Sequence, residues 1–429
     1  MSSGLELFDR VRRHAQAAPD RIAYVELAGG RTITYAELVD QVVSFSHESH
    51  GEVVPLRSAN RIGFPIEYLT WLTRGRTVFP ISIELADIEV ASLQRQTSEL
   101  RADGCMLLAS SGTTGVPRIV CRDARSLDAV SRNMVDAIGF TPDDHVLAAV
   151  PLTHSYGVEH GLLAPLWAGS TVLLVDGMDW PVITRALRDV TIFPAVPSMI
   201  EMLAGSADGS LTMPKLRSVY SAGGPLPRAV SDCFSDRFGH RVGQVYGMTE
   251  IGSVTFNDPS REPFDPGSVG RPMNNVSIRV LDDGEIIVSA PSMLSSYVND
   301  GTSVIDGHFR TGDVGHLDEH GRLTITGRVR LLIDTGGLKI NPLEVESVIG
   351  LHPDVRECVV VPVKQSETVQ RICAVIVARN ASAPPSTESI RAFAKERLAA
   401  YKIPRLVQFR ASLPRTATGK LQRHLVEVT

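Results

Sequence analysis

Apolar and polar residues alternate along most of the chain with the spacing of short helices and strands. Near the N-terminus, Leu5, Phe8 and Val11 recur at helical spacing, and Pro19 ends this predicted helix. Short apolar runs further along predict buried strands at 146–150, 171–175, 191–196 and 216–221. Helical segments lie between them at 161–167, 198–204 and 228–238. This alternation predicts layered α/β architecture with a largely parallel sheet.

The pattern of apolar and polar residues changes near Val276, where short predicted strands begin to alternate with turns. This pattern continues to Arg328 and predicts a small antiparallel β subdomain. A compact α+β unit follows, with predicted helices at 342–350 and 387–400 and strands at 357–363 and 372–378. The predicted fold class is therefore α/β, with a large domain at 1–329 that has layered, mostly parallel sheets, and a small C-terminal domain at 330–429.

Composition narrows the possible partners. The 429 residues are 43% hydrophobic, which suits globular cores and is too apolar for a disordered chain. The net charge of -5 gives no reason to expect nucleic acid or an anionic membrane as a partner. The five scattered cysteines form no Cys-x-x-Cys pair and no apolar stretch is long enough to span a bilayer, so we expect a cytoplasmic protein.

A short apolar run, Leu107-Leu108-Ala109, leads into a segment rich in glycine and hydroxyl groups. Its residues are Ser110, Ser111, Gly112, Thr113, Thr114, Gly115, Val116, Pro117 and Arg118. The two glycines permit positive φ angles, so backbone N–H groups can converge on an anion, and the hydroxyls and the guanidinium add donors for phosphate oxygens. The segment predicts a phosphate-binding loop, and the alternative is an ordinary surface loop.

Two segments carry carboxylates at predicted turns. Tyr246-Gly247-Met248-Thr249-Glu250 follows a predicted strand, and Glu250 suits Mg²⁺ because that ion prefers one or two carboxylates together with phosphates. The alternative is the first turn of a helix, where Thr and Glu are common caps. Asp313 follows Gly312, and it either accepts hydrogen bonds from two ribose hydroxyls or forms an ordinary Asx-turn.

Three further segments carry basic groups. Arg328 and Arg330 form either a phosphate contact or the solvated face of a strand. Lys420, in a turn-rich stretch after Pro414, either neutralises charge in a transition state or is simply solvated. His154 stands in Pro151-Leu152-Thr153-His154-Ser155-Tyr156-Gly157 at a predicted strand end, where packing is the alternative to chemistry.

Taken in order, these segments resemble the adenylate-forming superfamily of acyl- and aryl-CoA synthetases, peptide-synthetase adenylation domains and firefly luciferase. Thr34-Tyr35-Ala36-Glu37-Leu38 is similar to the first motif of that family. The resemblance implies that a carboxylate attacks the α-phosphate of ATP to give an acyl-adenylate, and that a thiol then displaces AMP. The implied cofactors are ATP and Mg²⁺, and the implied acceptor is CoA or the phosphopantetheine of a separate carrier protein. A small carboxylic acid is the implied substrate.

The resemblance also implies a role for each motif residue. The phosphates of ATP are oriented by Ser110, Ser111, Gly112, Thr113, Thr114, Gly115 and Arg118. The rest of the nucleotide site consists of Gly223, Gly224, Pro225, Tyr246, Gly247, Asp313 and Arg328. Catalysis of the first step involves Lys420, Thr249, Glu250 as metal ligand, and His154. The acid is bound by His154, Ser155, Tyr156 and Gly223, and the hinge of a mobile C-terminal domain is Arg330.

The chain departs from the pattern of this family at several positions. Arg118 stands where the loop usually has Lys, Ile119 where glycine is common, and Arg330 where the hinge is usually Asp or Lys. The interval from Pro80 to Ser110 is short for the family, so part of the large domain is trimmed. These departures bear on rate and domain rotation more than on the chemistry.

The residues after His154 bear on the substrate. Ser155 stands where amino-acid-activating members usually have Asp, which favours an aryl or short acyl acid. Glu159 and His160 come next and could meet a polar or amino-bearing tail. Three alternatives stay open: an amino-acid adenylation enzyme that loads a carrier protein in trans, an adenylating enzyme that passes its acyl group to an amine or to water, and a non-catalytic nucleotide- or acyl-binding protein with the same fold.

Overall fold

The computed structural model divides the chain into two compact units. Unit 1 comprises 1–83, 96–110 and 119–329, and unit 2 comprises 84–95, 111–118 and 330–429. The residues that the structure describes are 5–46, 52–98, 100, 104–110, 118–298, 304–328, 333–335, 338–340, 342–366, 369–414 and 423–428. Among the described residues, no helix is both long enough and apolar enough to cross a bilayer.

Helices account for much of the first 240 residues. In chain order the α-helices are α1 (Glu6–Ala17), α2 (Tyr35–Ser44), α3 (Gly63–Thr73), α4 (Asp87–Thr97), α5 (Ala124–Ile138), α6 (Ser155–Val158), α7 (Ala164–Ala168), α8 (Trp180–Ala186), α9 (Pro197–Ala204), α10 (Arg228–Phe238), α11 (Pro342–Ile349) and α12 (Thr387–Lys395). A π-helical segment, Glu159–Leu163, joins α6 to α7, and 3₁₀ turns lie at Ala400–Lys402 and Arg423–Leu425.

Strands run through both units. Those of the first 260 residues are β1 (Ile22–Glu26), β2 (Thr32–Thr34), β3 (Val53–Leu56), β4 (Thr77–Pro80), β5 (Met106–Ser110), β6 (Arg118–Arg122), β7 (His145–Ala148), β8 (Thr171–Leu174), β9 (Ile192–Ala195), β10 (Ser218–Ser221), β11 (Val242–Met248) and β12 (Gly252–Asn257). The later ones are β13 (Arg271–Pro272), β14 (Ser277–Val280), β15 (Glu285–Ser289), β16 (Ser296–Tyr297), β17 (Val304–Ile305), β18 (His308–Leu317), β19 (Leu323–Arg328), β20 (Ile333–Asp334), β21 (Lys339–Ile340), β22 (Val355–Lys364), β23 (Gln370–Ala378) and β24 (Leu406–Phe409).

The largest sheet of unit 1 has nine strands in the order β13-β12-β11-β10-β9-β7-β8-β1-β2. Its six central strands, from β11 to β1, pair in parallel, and antiparallel partners close both edges. Strands β8, β9 and β10 are buried along their whole length, as expected where helices cover both faces of a parallel sheet. The prediction of an α/β fold with mostly parallel sheets is confirmed.

Two smaller sheets complete unit 1. One has the order β16-β6-β5-β4-β3, in which β3, β4 and β5 run parallel. The other contains β14, β15, β18 and β17, with β19 paired to β18. In this second sheet the register brings Asp313 opposite Arg328. The predicted antiparallel β subdomain is therefore present, and it packs around its own apolar cluster, which includes Ile286, Val288 and Phe309.

Residues 34–38, which resemble the first family motif, form the start of α2. Thr34 Oγ1 accepts a hydrogen bond from the Glu37 backbone N–H, and the Glu37 carboxylate accepts one from the Thr34 N–H, which is a capping box. The Tyr35 hydroxyl donates to the Ser170 carbonyl over 2.7 Å, so it anchors the helix to the segment before β8. The observed role of this segment is structural.

Unit 2 contains a three-stranded sheet, β22-β23-β24, together with α11 and α12. The Lys402 ammonium is buried, and it donates to Glu344 over 2.7 Å and to Glu89, in α4, over 3.0 Å. Burial lowers the pKa of this ammonium, but Tyr401, Glu344 and Glu89 raise it by more, so Lys402 stays charged. This ion-pair cluster joins residues that lie more than 300 positions apart within one unit.

Several elements differ from the sequence predictions. Helix α4 lies between Ile83 and Leu100, where no helix was predicted, and α12 ends at Lys395 rather than 400. The alternative of a helix start at Thr249 and Glu250 is wrong, because β11 continues to Met248 and a tight turn leads into β12. Asp313 lies within β18 rather than in an isolated turn, because β15 and β19 pair with that strand on its two sides.

Candidate active site

The predicted phosphate loop is described only at its two ends. Ser110 is the last residue of β5, and Arg118 is the first residue of β6. Ser111, Gly112, Thr113, Thr114 and Gly115 lie outside the described residues, as do the predicted hinge Arg330 and the predicted catalytic Lys420. Their assigned roles therefore stay predictions.

Tyr246 and Asp313 meet in unit 1, although 67 positions separate them. The Tyr246 hydroxyl donates to Asp313 Oδ2 over 2.8 Å, and both residues are buried. Gly247 follows directly, and a Cβ there would lie 2.3 Å from the Gly252 carbonyl oxygen, so only glycine lets β11 and β12 approach this closely. The structure thus brings two predicted nucleotide-binding residues, a ring and a carboxylate, into direct contact.

Hydrogen bonds and a positive φ angle at Gly312 also hold the backbone around Asp313. Thr311 Oγ1 accepts a hydrogen bond from the Asp313 N–H over 3.1 Å and donates to the Ile286 carbonyl over 2.8 Å. Gly312 has a φ of 70°, which side chains rarely adopt, and its N–H donates to Glu285. These contacts fix the direction of the carboxylate. The backbone of Arg328 pairs with that of Asp313 in the sheet.

Thr249 and Glu250 occupy the turn between β11 and β12, and both are partly exposed. The Tyr297 hydroxyl donates to Glu250 Oε1 over 3.3 Å, and the Glu250 carbonyl accepts the Leu294 N–H. Tyr297 pairs with Val120 of β6, so the turn is tied to the strand that follows the predicted phosphate loop. A partly exposed carboxylate beside a hydroxyl donor suits Mg²⁺ chemically, but no group of three potential metal ligands occurs in the described part of the chain.

Gly223, Gly224 and Pro225 form the connection from β10 to α10. Gly223 has a φ of 87°, and a Cβ on it would meet no atom within 4 Å, so its conformation rather than crowding requires glycine. The connection leaves the carboxyl end of β10, whose parallel neighbour β11 ends near Tyr246. The carboxyl ends of parallel strands are where open α/β sheets bind ligands.

His154, Ser155 and Tyr156 lie at the start of α6. His154 is the exposed residue before the first helical turn, whereas Ser155 and Tyr156 are buried. The Tyr156 hydroxyl donates to the Ala195 carbonyl over 3.1 Å. Gly157 lets the helix pack closely, because a Cβ there would lie 1.9 Å from the Pro151 carbonyl oxygen. The three predicted acid-binding residues therefore face different surroundings.

Ser155 belongs to a buried hydrogen-bond network that includes Glu159. Ser155 Oγ donates to Glu159 Oε1 over 3.2 Å, and the Arg122 guanidinium donates to the same oxygen. Ser253 donates to Glu159 Oε2 through its N–H over 3.0 Å and through its hydroxyl over 2.7 Å. Glu159 has 2% of its side chain exposed, so the expectation that it could meet an amino-bearing tail is wrong.

His160 continues the network. Its Nε2 lies 3.1 Å from Ser253 Oγ and its Nδ1 lies 2.8 Å from Tyr220 Oη. The Ser253 hydroxyl proton is given to Glu159, so Nε2 carries the hydrogen and Nδ1 accepts from Tyr220. Burial lowers the pKa of His160 to about 3, which agrees with this neutral tautomer. Its ring also lies 4.4 Å from that of Tyr156.

Arg122 was not among the site residues predicted from the sequence. This residue ends β6, after Ile119, Val120 and Cys121, and its side chain is fully buried. A charge at the end of an apolar run is the available signal, but its partner Glu159 lies 37 positions away. Only the pairing of β6 with the rest of the fold brings the two charges together.

Comparison with known families classifies the protein. Residues 79–298 match the AMP-binding enzyme family, and residues 344–420 match the AMP-binding enzyme C-terminal domain. The chain belongs to the AMP-binding enzyme family, and the predicted membership of the adenylate-forming superfamily is confirmed.

Relatives within the family are CoA ligases. The chain is 32% identical to a malonate–CoA ligase of Arabidopsis thaliana over 78% of this chain and 63% of that protein. It is 31% identical to an oxalate–CoA ligase of the same plant over 76% of this chain and 67% of that protein. A solved malonyl-CoA ligase with methylmalonyl-CoA and AMP bound superposes with a TM-score of 0.84, at 28% identity over 93% of this chain and 98% of that one. The chain spans about two thirds of the length of these two curated plant relatives.

Proposed function

We propose that this protein joins a small carboxylic acid to CoA in two steps at the expense of ATP. In the first step a carboxylate oxygen attacks the α-phosphorus of ATP, forming an acyl-adenylate and releasing pyrophosphate. In the second step the CoA sulfur attacks the acyl carbon, the thiol proton is lost to solvent, and AMP leaves. CoA is the proposed acceptor because the named relatives are CoA ligases.

The observation that carries this proposal is the contact between Tyr246 and Asp313. A carboxylate can accept hydrogen bonds from two vicinal hydroxyls of a ribose, and a neighbouring aromatic ring offers a face for a base. The Tyr246 hydroxyl donates to the Asp313 carboxylate in unit 1, so the two groups stand side by side as a nucleotide would require. The solved relative holds AMP, which supports the same assignment here.

The first step needs positive charge, because a carboxylate attacks a polyanion. Positioned cations lower that barrier without a general base. In the proposed mechanism Lys420 and Arg118 supply two of these charges, and the Glu250 carboxylate would hold Mg²⁺, which would supply a third. Thr249 orients the α-phosphate from the same turn, and His154 lies at the entrance to the acid site.

Short acyl or aryl acids are the proposed substrates, and short dicarboxylic acids come first among them. Ser155, at the position where an amino-acid-activating enzyme would carry Asp, donates its hydroxyl to Glu159. Glu159 is itself buried against Arg122, so no described carboxylate of this network is exposed to an α-ammonium group. The relatives act on malonate and oxalate, which are short dicarboxylic acids.

Pyrophosphate exchange tests this proposal. The protein is given ATP, Mg²⁺ and a panel of malonate, oxalate, longer acyl acids, aryl acids and amino acids, and AMP release is then measured with CoA and with a carrier protein. We expect exchange with a short acid and AMP release that requires CoA. Preference for an amino acid and a carrier protein would instead identify an adenylation enzyme, and nucleotide binding without exchange would identify a non-catalytic protein.

A further inference from the structure

Arg122 and Glu159 form an ion pair in the interior of unit 1, with 0% and 2% of their side chains exposed. Such a pair is costly, because both charges lose their hydration and the attraction between them often only offsets that loss. Apolar residues of similar size would fill the same space at no such cost. The pair therefore calls for an explanation other than stability.

The pair is the centre of a network that connects five segments of unit 1: β6, α5, the residues around Ser292, the segment from α6 into the π-helix, and β12. From β6, Arg122 donates through Nε to Ser126 of α5 over 3.0 Å, and Ser126 donates to the Ser292 carbonyl over 2.8 Å. Glu159, in the π-helical segment, accepts from Ser155 and from both donors of Ser253. The network thus connects the first turn of α6 to β12.

The surroundings of Arg122 allow little rearrangement. A Cβ on Gly252 would lie 2.9 Å from Arg122 Nη2, so the guanidinium packs directly on the backbone at the start of β12. Among the described residues, Nη2 has no hydrogen-bond acceptor. Arg122 and Ser155 donate to Glu159 Oε1 and Ser253 donates to Oε2, so both carboxylate oxygens are held by hydrogen bonds.

The same carboxylate reaches two of the residues proposed to bind the acid. It fixes the Ser155 hydroxyl directly. Through Ser253 it also fixes the neutral tautomer of His160, whose ring contacts Tyr156. A change at Glu159 is thus transmitted to Ser155 and Tyr156 without any contact between Glu159 and the substrate.

We propose that Glu159, held by Arg122, is a positioning residue that sets the affinity of the enzyme for its carboxylic acid substrate by fixing Ser155 and the His160–Tyr156 ring pair. This inference rests on the proposed function, because it requires the acid to bind beside α6. It predicts that the ion pair matters more for the acid than for ATP, because its carboxylate accepts from Ser155 and Ser253 and makes no hydrogen bond to Tyr246 or Asp313.

The main test is the double variant Arg122→Met with Glu159→Leu. It removes both charges and fills the space with apolar side chains of similar size, so no charge is left buried alone, but the Ser155 hydroxyl and both Ser253 donors lose their acceptor and we expect the melting temperature to fall. We expect the KM for the acid to rise about tenfold or more, the range for losing hydrogen bonds to a charged group, while the KM for ATP changes by less than about twofold. The matched control is Lys215→Met with Asp189→Leu, which makes the same replacement at an exposed ion pair of unit 1 and should leave both KM values unchanged.

The outcomes separate the possible roles. A stable double variant with the wild-type KM for the acid would show that the pair is purely structural and would overturn the proposal. Should the double variant fold poorly, Ser155→Ala and Ser253→Ala replace it, since each removes only one hydroxyl, and an unchanged KM for the acid in both overturns the proposal equally. A wild-type protein that activates no acid contradicts the proposed function itself, whereas an active wild type with unaffected variants contradicts the positioning role alone.

Discussion

Asp313 and Glu250 accept hydrogen bonds from the neutral hydroxyls of Tyr246 and Tyr297, whereas the carboxylate of Glu159 is met by a buried guanidinium. We call Tyr246, Glu250, Tyr297 and Asp313 the proposed nucleotide side, and there the two tyrosine hydroxyls orient the two carboxylates without neutralising their charge. The proposed acid side comprises Ser155, Tyr156 and the buried network around Glu159. There Arg122 neutralises the charge of Glu159 in the interior of unit 1. The nucleotide side can therefore attract ligands through its carboxylates, while the acid side uses its carboxylate to hold other side chains.

The two sides also differ in what can be changed independently. Asp313 and Tyr246 form one contact between distant strands, so a substitution there is expected to act locally. Ser155, Glu159, Ser253 and His160 share hydrogen bonds, so substitutions among them are expected to be coupled rather than additive. Each prediction below acts on one side and leaves the other as an internal reference.

The largest effect on the rate of acyl-adenylate formation is expected from Lys420→Ala, although Lys420 lies outside the described residues. A preorganised cation beside the phosphate stabilises charge that grows in the transition state, so we expect acyl-adenylate formation to fall by about 10²–10³. Conversion of a supplied acyl-adenylate to the thioester should continue at a near-normal rate, because Lys420 is proposed to act on the attack at the α-phosphorus, whereas the second step makes and breaks bonds at the acyl carbon. Separate assays of the two half-reactions measure both. Equal loss of both steps with an unchanged melting curve would contradict the assigned role.

Asp313→Ala should have the next largest effect, and it should fall on ATP alone. The ribose would lose an ionised acceptor, a contact worth about 1.5–3 kcal/mol, so calorimetry should show ATP binding weakened by roughly tenfold to a hundredfold. The KM for the acid should change little, since the buried network is untouched. Glu319→Ala, which removes an exposed carboxylate at the end of the same hairpin, is the matched control. Unchanged ATP affinity in the Asp313 variant would remove that residue from the site.

The acid side should make stability depend on pH through His160. Burial lowers the pKa of the folded-state imidazole from 6.5 to about 3, so the unfolded chain takes up this proton first as the pH falls. Stability from this group is complete above pH 6.5 and is lost on acidification, by about 1.4 kcal/mol for each pH unit between 6.5 and 3. Denaturant titrations from pH 7 to pH 5 should show a shallower loss for His160→Gln than for the wild type. Parallel curves for the two proteins would contradict a neutral buried His160.

The residues of the proposed nucleotide side could be named from the sequence because they stand in contiguous motifs, and their role in binding a nucleotide stays a prediction. Tyr246 and Asp313 were both named as candidates, and the regular alternation of apolar runs was enough to place most strands around them. The direct bond between the two could not be predicted, because it depends on how β11 is placed against β18, and no local pattern encodes that.

Fewer residues of the proposed acid side could be named from the sequence, because their contacts join separate elements rather than one contiguous motif. Ser155 and Tyr156 were named, but Arg122 was not, since a lone charge at a strand end is ordinarily solvated and its burial depends on a partner in another element. Glu159 was misjudged in the same way, because its charge suggested a hydrogen-bond acceptor open to a ligand. In the fold both of its carboxylate oxygens already accept hydrogen bonds, from Arg122, Ser155 and Ser253. Helix α4 was missed because its apolar residues, Ile88, Val90 and Leu93, do not form one clear stripe.

The smallest effect is expected from Tyr246→Phe, which removes one oxygen atom from the nucleotide side. The ring keeps its place beside the proposed adenine site, because it packs in the apolar cluster of the β subdomain with Ile251 and Val254. Asp313 loses the hydrogen bond that orients its Oδ2, and one such bond contributes about 0.5–1.5 kcal/mol. ATP binding should therefore weaken by roughly twofold to tenfold, less than for Asp313→Ala, and the KM for the acid should not change. A double variant with both substitutions should bind ATP no more weakly than Asp313→Ala alone, because the hydroxyl acts only through the carboxylate. Additive losses in the double variant would show that the hydroxyl contacts the nucleotide directly, and the description of Tyr246 as a neutral donor that orients Asp313 would then be wrong.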